Sequence, residues 1–130
     1  MATKTIRQTV QFGARPEDVY DALMDPKKHA KFTGAKATIS RKVGGSFSVW
    51  DGYAEGTNIE LVPGKKIVQS WRASDWPADV FSTVRFEFSK FKGGTKMTFT
   101  QTGIPEDFVG DIRQGWKDFY WAPMKGMLDR

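Results

Sequence analysis

The side chains able to do acid–base, nucleophilic or metal chemistry are few and scattered. Cysteine is absent and His29 is the sole histidine. That excludes disulfides, thiolate metal sites, cysteine nucleophiles and multi-histidine metal centres, and it points to a reducing compartment. His29 titrates near neutrality when unperturbed, but it stands among Lys27, Lys28 and Lys31 and reads as an exposed helical histidine rather than a general base. The three lysines read as a solvated helix face rather than a phosphate-binding surface. Asp107 and Asp111 fall at the start of a helical pattern, where they complement the positive end of the dipole rather than form a catalytic pair. Asp75 and Asp79 flank Trp76-Pro77 in a loop, without the histidines that a metal set would need. Val43-Gly44-Gly45 and Lys92-Gly93-Gly94 join strand to strand, so neither forms a phosphate cradle ahead of a helix. No catalytic residue, metal or cofactor is expected, and the chain does not read as an enzyme.

Aromatic side chains, by contrast, are abundant. The 130 residues include 5 Trp and 10 Phe and are 39% hydrophobic, which fits one ordinary domain over 1–130 with a core of its own. Net charge is +5, from 20 Lys and Arg against 15 Asp and Glu. The basic residues come as pairs dispersed among acids, with no basic block, so a nucleic-acid partner is not expected. No apolar run has membrane-spanning length and the first residues lack a signal-type stretch. The expectation is a soluble, cytoplasmic protein with no membrane partner.

The elements follow from periodicity. Ile6, Val10 and Phe12 oppose Thr5, Arg7, Thr9 and Gln11, the pattern of a half-buried strand. Pro16, Glu17 and Asp18 open a short helix to about Met24, and Asp25-Pro26 stops it and caps a second through Lys31. Alternating runs then cover 35–39, 45–50, 53–61, 66–72, 80–90 and 95–102, an antiparallel meander in which Asp51-Gly52 is a two-residue hairpin signal. Val84, Phe86 and Phe88, and Met97 and Phe99, point to the dry face. In 66–72 Ile67 and Trp71 compete with Val68, and Trp71 is placed inward.

From Pro105 to about Leu128 the pattern is helical, and about 23 residues at 1.5 Å rise span roughly 35 Å, enough to cross a sheet. Phe108, Ile112, Gly115, Trp116, Phe119, Pro123 and Met127 share one arc of the wheel and should face the sheet. Gly115 is read as a close helix–sheet approach and Pro123 as a kink. The fold class is α+β: a curved antiparallel sheet wrapped around a long C-terminal helix, with two short helices after the first strand. A sheet gripping a helix encloses either a filled core or an apolar pocket. The pocket would be lined by Phe47, Val49, Trp71, Phe86, Phe88, Met97 and Phe99 from the sheet and by Trp116, Phe119 and Tyr120 from the helix. Trp121, Met124 and Leu128, at i, i+3 and i+7 on the opposite side, form a candidate partner surface.

Several short motifs, in their order, resemble the activator of heat shock protein 90 ATPase family, specifically its C-terminal domain. They are Val43-Gly44-Gly45-Ser46-Phe47, Leu61-Val62-Pro63, Lys66-Ile67-Val68, Trp71-Arg72, Trp76-Pro77, Phe81-Ser82-Thr83-Val84, Gly103-Ile104-Pro105 and Arg113-Gln114-Gly115-Trp116 followed by Phe119-Tyr120. The resemblance covers essentially the whole chain; Pro123 departs from it. It implies the helix-grip, START-like fold and a non-catalytic, co-chaperone-type binding module of the stress response, with a heat shock protein 90-type chaperone as partner. The family's separate N-terminal domain has no counterpart in these residues, which implies weak ATPase stimulation alone. The alternative is a carrier or sensor of a small hydrophobic ligand held between sheet and helix.

Overall fold

A computed structural model describes residues 2–129. Strand β1 (Thr3–Phe12) buries Ile6, Val10 and Phe12, as its alternation requires. Helix α1 (Pro16–Met24) starts on Pro16, carries Glu17 and Asp18 in its first turn and buries Val19, Tyr20, Ala22, Leu23 and Met24. The Asp25 carboxylate then accepts the backbone N–H groups of Lys27 and Lys28 at 2.8 and 3.1 Å, capping α2 (Pro26–Thr33). Gly34, at φ 74°, closes α2 in the left-handed conformation that glycine adopts without strain.

The meander comprises β2 (Thr38–Ile39), β3 (Ser46–Val49), β4 (Ala54–Val62), β5 (Lys66–Ala73), β6 (Ser82–Phe91) and β7 (Gly94–Pro105). They form one antiparallel sheet in the order β1-β7-β6-β5-β4-β3-β2. The strand expected over 35–39 shrinks to two residues, and β7 runs three residues past its expected end. In place of the two-residue hairpin, β3 and β4 are joined by Trp50–Tyr53, where Trp50, Asp51 and Gly52 all take positive φ (56°, 55° and 92°). Ile67 and Trp71 both lie inward on β5 together with Gln69, while Val68 is buried on the other face between Glu60 and Arg85 of the neighbouring strands.

The sheet curls around a continuous C-terminal helical path. A 3-10 turn (Glu106–Phe108) leads into α3 (Val109–Trp116), a π turn (Lys117–Trp121) and α4 (Ala122–Leu128). In the π turn the N–H of Ala122 bonds the carbonyl of Lys117, five residues back, and Pro123 follows at the start of α4. The missing N–H of proline therefore falls where the hydrogen-bond ladder changes spacing. The wider turn also shifts every later side chain by about one residue, roughly 100° of rotation. Two sequence expectations are corrected by that shift. Phe119 turns outward and is 55% exposed, whereas Trp121 (5%) and Met124 (0%) turn inward and Leu128 becomes half-buried.

Close packing of β4 on its neighbours depends on Gly56. A Cβ there would run into the Ser70 carbonyl oxygen of β5 and the Phe47 ring of β3. We predict that Gly56→Ala destabilises the fold by about 2–4 kcal/mol, through overpacking that backbone atoms cannot relieve, as measured by urea unfolding.

Candidate functional site

The inward faces of sheet and helix leave little space at their centre. Phe99 lies against Trp116 with ring centroids 4.5 Å apart, Phe86 against Phe99 at 5.1 Å, and Trp116 stacks on Trp121 at 5.4 Å. A chain of hydrogen bonds runs through this layer, although the buried Trp76 indole N–H beside Trp71 has no partner among the described residues. The Trp116 indole N–H donates to Gln101 Oε1 at 2.8 Å, Gln101 Nε2 donates to Ser82 Oγ at 2.8 Å, and the Ser82 hydroxyl donates to the Trp71 carbonyl at 2.8 Å. Trp121 Nε1 donates to Gln8 Oε1 at 2.6 Å. A hollow of about 20 Å³ remains, bordered by Phe47, Val49, Trp71, Phe86, Trp116 and Tyr120. It has room for about one water molecule. Phe88, Met97 and Phe99 are buried in the packed core and border neither this hollow nor the larger one described next.

The larger space lies beside the core, where α3 and the π turn pass the β3–β4 turn. This open cleft of about 380 Å³ is lined by Trp50, Tyr53, Trp71, Trp116, Phe119 and Tyr120, together with Ile112, Gly115 and Asp111. Four of the ten side chains expected to line a pocket are here: Trp71, Trp116, Phe119 and Tyr120. Trp50 and Tyr53 reach it because the positive-φ turn projects both rings toward the helix. Trp50 meets Phe119 edge-on at 5.4 Å and Tyr120 at 6.3 Å. Tyr53 and Phe119, exposed at 41% and 55%, form its rim. Burial, and then the negative charges of Asp75 and Asp111, raise the Tyr53 phenol above its ordinary pKa, so it remains a neutral donor. The signal for Trp50 and Tyr53 was present in the sequence as two aromatic residues bracketing Asp51-Gly52. Gly115 lines the cleft instead of touching the sheet: a Cβ there would meet only Phe119 Cδ2, at 3.8 Å.

His29 is buried, at 4% exposure, and this corrects its reading as a surface residue. Its Nδ1 lies 3.1 Å from the Leu23 carbonyl, which can only accept, so Nδ1 carries the proton and Nε2 accepts the Tyr120 hydroxyl at 3.0 Å. Burial pushes its pKa down to about 4, against a partial lift from the Leu23 carbonyl. Burial also raises the Tyr120 phenol, which stays protonated as the donor. Both ring nitrogens are engaged and the imidazole is neutral, an arrangement that fixes the Tyr120 hydroxyl beside the cleft. Among the described residues, no three His, Asp or Glu side chains converge as a metal set.

Two outcomes follow from these environments. Gly115→Ala should stabilise the protein by about 0.5–1 kcal/mol in urea unfolding, because the position is helical and the cleft has room for the methyl group. The depressed pKa of His29 means that the unfolded chain binds the extra proton first. The stability contributed by the neutral ring is therefore complete above about pH 6.5 and is lost as pH falls toward 4, a loss of about 3 kcal/mol. Unfolding curves at pH 7, 5.5 and 4 should show this slope, and His29→Gln should flatten it.

Residues 13–129 match the family model described as Activator of Hsp90 ATPase homolog 1-like protein. The chain is 39% identical over 129 residues to an activator of 90 kDa heat shock protein ATPase homolog from Dictyostelium discoideum, covering 98% of this chain and 32% of that protein. It is 34% identical over 121 residues to the activator homolog 1 of Homo sapiens, covering 93% of this chain and 35% of the relative. It thus spans about a third of the length of these relatives. Among solved structures, an HSP90 activator from Plasmodium falciparum superposes with a TM-score of 0.89 at 26% identity, covering 95% of this chain and 94% of that one. The match extends over the helix-grip architecture from α1 through α4, and the chain belongs to the Activator of Hsp90 ATPase homolog 1-like family.

Proposed function

We propose that this chain is a non-catalytic, co-chaperone-type binding module that docks on a heat shock protein 90-type chaperone in the cytoplasm. The observation that carries the reading is the extent of the family match, residues 13–129, together with 39% identity over nearly all of the chain to a protein named as an activator of that ATPase. The locked, neutral His29 agrees with a role in which nothing is chemically transformed.

The surface offers recognisable contact material. Away from the cleft, Val43, Ile59 and Phe81 are exposed apolar side chains, and the net charge of +5 favours encounter with an acidic partner face. Buried Trp121 and Met124 take no part. These 130 residues span about a third of their relatives' length, and the contact they make by themselves is expected to stimulate ATP turnover only weakly.

Titration calorimetry of the purified protein with a purified heat shock protein 90-type chaperone should show saturable binding that weakens as salt is raised from about 0.05 to 0.3 M. A small rise in ATP turnover should accompany it. Absence of binding at about 0.1 mM, a level where even affinities weaker than micromolar register, would overturn the reading.

A further inference from the structure

We propose that the aromatic cleft is a binding site for a small organic cation, an ammonium group carried on an aryl or alkyl body. This claim rests on the cleft alone and is independent of any chaperone contact. At about 380 Å³ the space lies in the range of small-molecule sites, and it opens to solvent between the Tyr53 and Phe119 rims.

Charge and ring chemistry choose the ligand class. Six of the nine lining residues are aromatic, and an aromatic ring attracts a cation that comes to lie over its face. In a chain with 20 Lys and Arg, none lines the cleft. The one ionisable carboxylate in the lining is Asp111, which among the described residues makes no ion pair or hydrogen bond. A second acid, Asp75, stands close enough to act on the Tyr53 phenol. The site is therefore locally negative in a protein of net charge +5. A neutral hydrocarbon would fill the space but gain nothing from the Asp111 carboxylate, and an anion would be repelled by it. An ammonium gains from both the carboxylate and the rings.

Gly115 gives an independent sign that the space is maintained. Glycine inside α3 costs about 1 kcal/mol relative to alanine, and no sheet contact requires it, since the position faces only the cleft and the Phe119 ring. The absent side chain keeps the floor open between Ile112 and Trp116.

The test compares two molecules of the same shape, (4-hydroxyphenyl)trimethylammonium and 4-tert-butylphenol, by calorimetric titration and by the indole N–H resonances of isotopically labelled protein. The cation should bind roughly tenfold or more tightly than the neutral isostere, consistent with a partly desolvated cation–π site. It should shift the signals of Trp50, Trp71 and Trp116 while leaving that of Trp121 in place. Asp111→Asn, an exposed and conservative change, should bring the two affinities within about threefold of each other, and Gly115→Phe should abolish binding of both. Equal or better binding of the phenol, no binding of either molecule, shifts confined to other indoles, or an unchanged preference in Asp111→Asn would each overturn the proposal. Should Gly115→Phe fail to fold, the Asp111→Asn comparison and the map of shifted indoles decide alone.

Discussion

The hydrogen bond from the Trp116 indole to Gln101 is the constraint that fixes the C-terminal helix on the sheet. Gln101 is fully buried on β7, and a buried amide must find partners or cost about 1–3 kcal/mol for each group left unpaired. Its oxygen takes the Trp116 N–H, and its nitrogen reaches Ser82, which reaches the Trp71 backbone. One relay thus ties α3 to β7, β6 and β5. A second bond, Trp121 to Gln8, ties the following turn to β1. In an α-helix residues five apart point about 140° away from each other, so Trp116 and Trp121 could not both face the sheet. The π turn removes that conflict, and the two indoles stack with their planes 19° apart. Helix register, core packing and the orientation of the Trp116 ring toward the cleft are therefore consequences of two satisfied amides.

Much of the architecture was legible in the residues because strand alternation and capping act locally. The span of α1, the Asp25 cap, and the inward faces at Phe86 and Met97 each follow from signals a few residues long. The misreadings share a different cause. A wheel drawn at 100° per residue assumes an unbroken α-helix, and it places Phe119 inward and Trp121 and Met124 outward; a single π turn exchanges them. His29 sits among lysines that are themselves exposed, but its ring folds back under the Tyr120 hydroxyl, and that partner lies 91 positions away in sequence. Gly115 reads in the sequence as a close approach to the sheet, whereas the structure sets it against the cleft, with only Phe119 within reach of a Cβ. No local signal could reveal the cleft, since its walls come from the β3–β4 turn, β5 and the C-terminal helix.

The same aromatic richness serves two ends. On the concave face the rings interlock and leave space for one water, so this layer supplies stability. Beside it, the β3–β4 turn holds Trp50 and Tyr53 in backbone conformations that non-glycine residues seldom adopt at Trp50 and Asp51. That turn is tied down by the Lys36 backbone N–H donating to the Asp51 carboxylate at 2.8 Å, and by Ser74 N–H donating to the Tyr53 carbonyl at 2.7 Å. The cleft is thus open and braced at the β3–β4 turn. Trp71, Trp116 and Tyr120 belong to both its wall and the core, whereas Tyr53, Asp111 and Phe119 are exposed and can vary without undoing the core.

The strand order also bears on how the chain is made. β1 pairs with β7 in a register that joins Phe12 to Thr95 and Thr3 to Pro105. During N-to-C synthesis the earliest strand must wait on the order of ten seconds, at about 5–20 residues per second, before its neighbour leaves the ribosome. Until then its apolar edge has no place in a sheet. Closure of this fold is thus a late event of translation, governed by the emergence of the segment that carries Gln101.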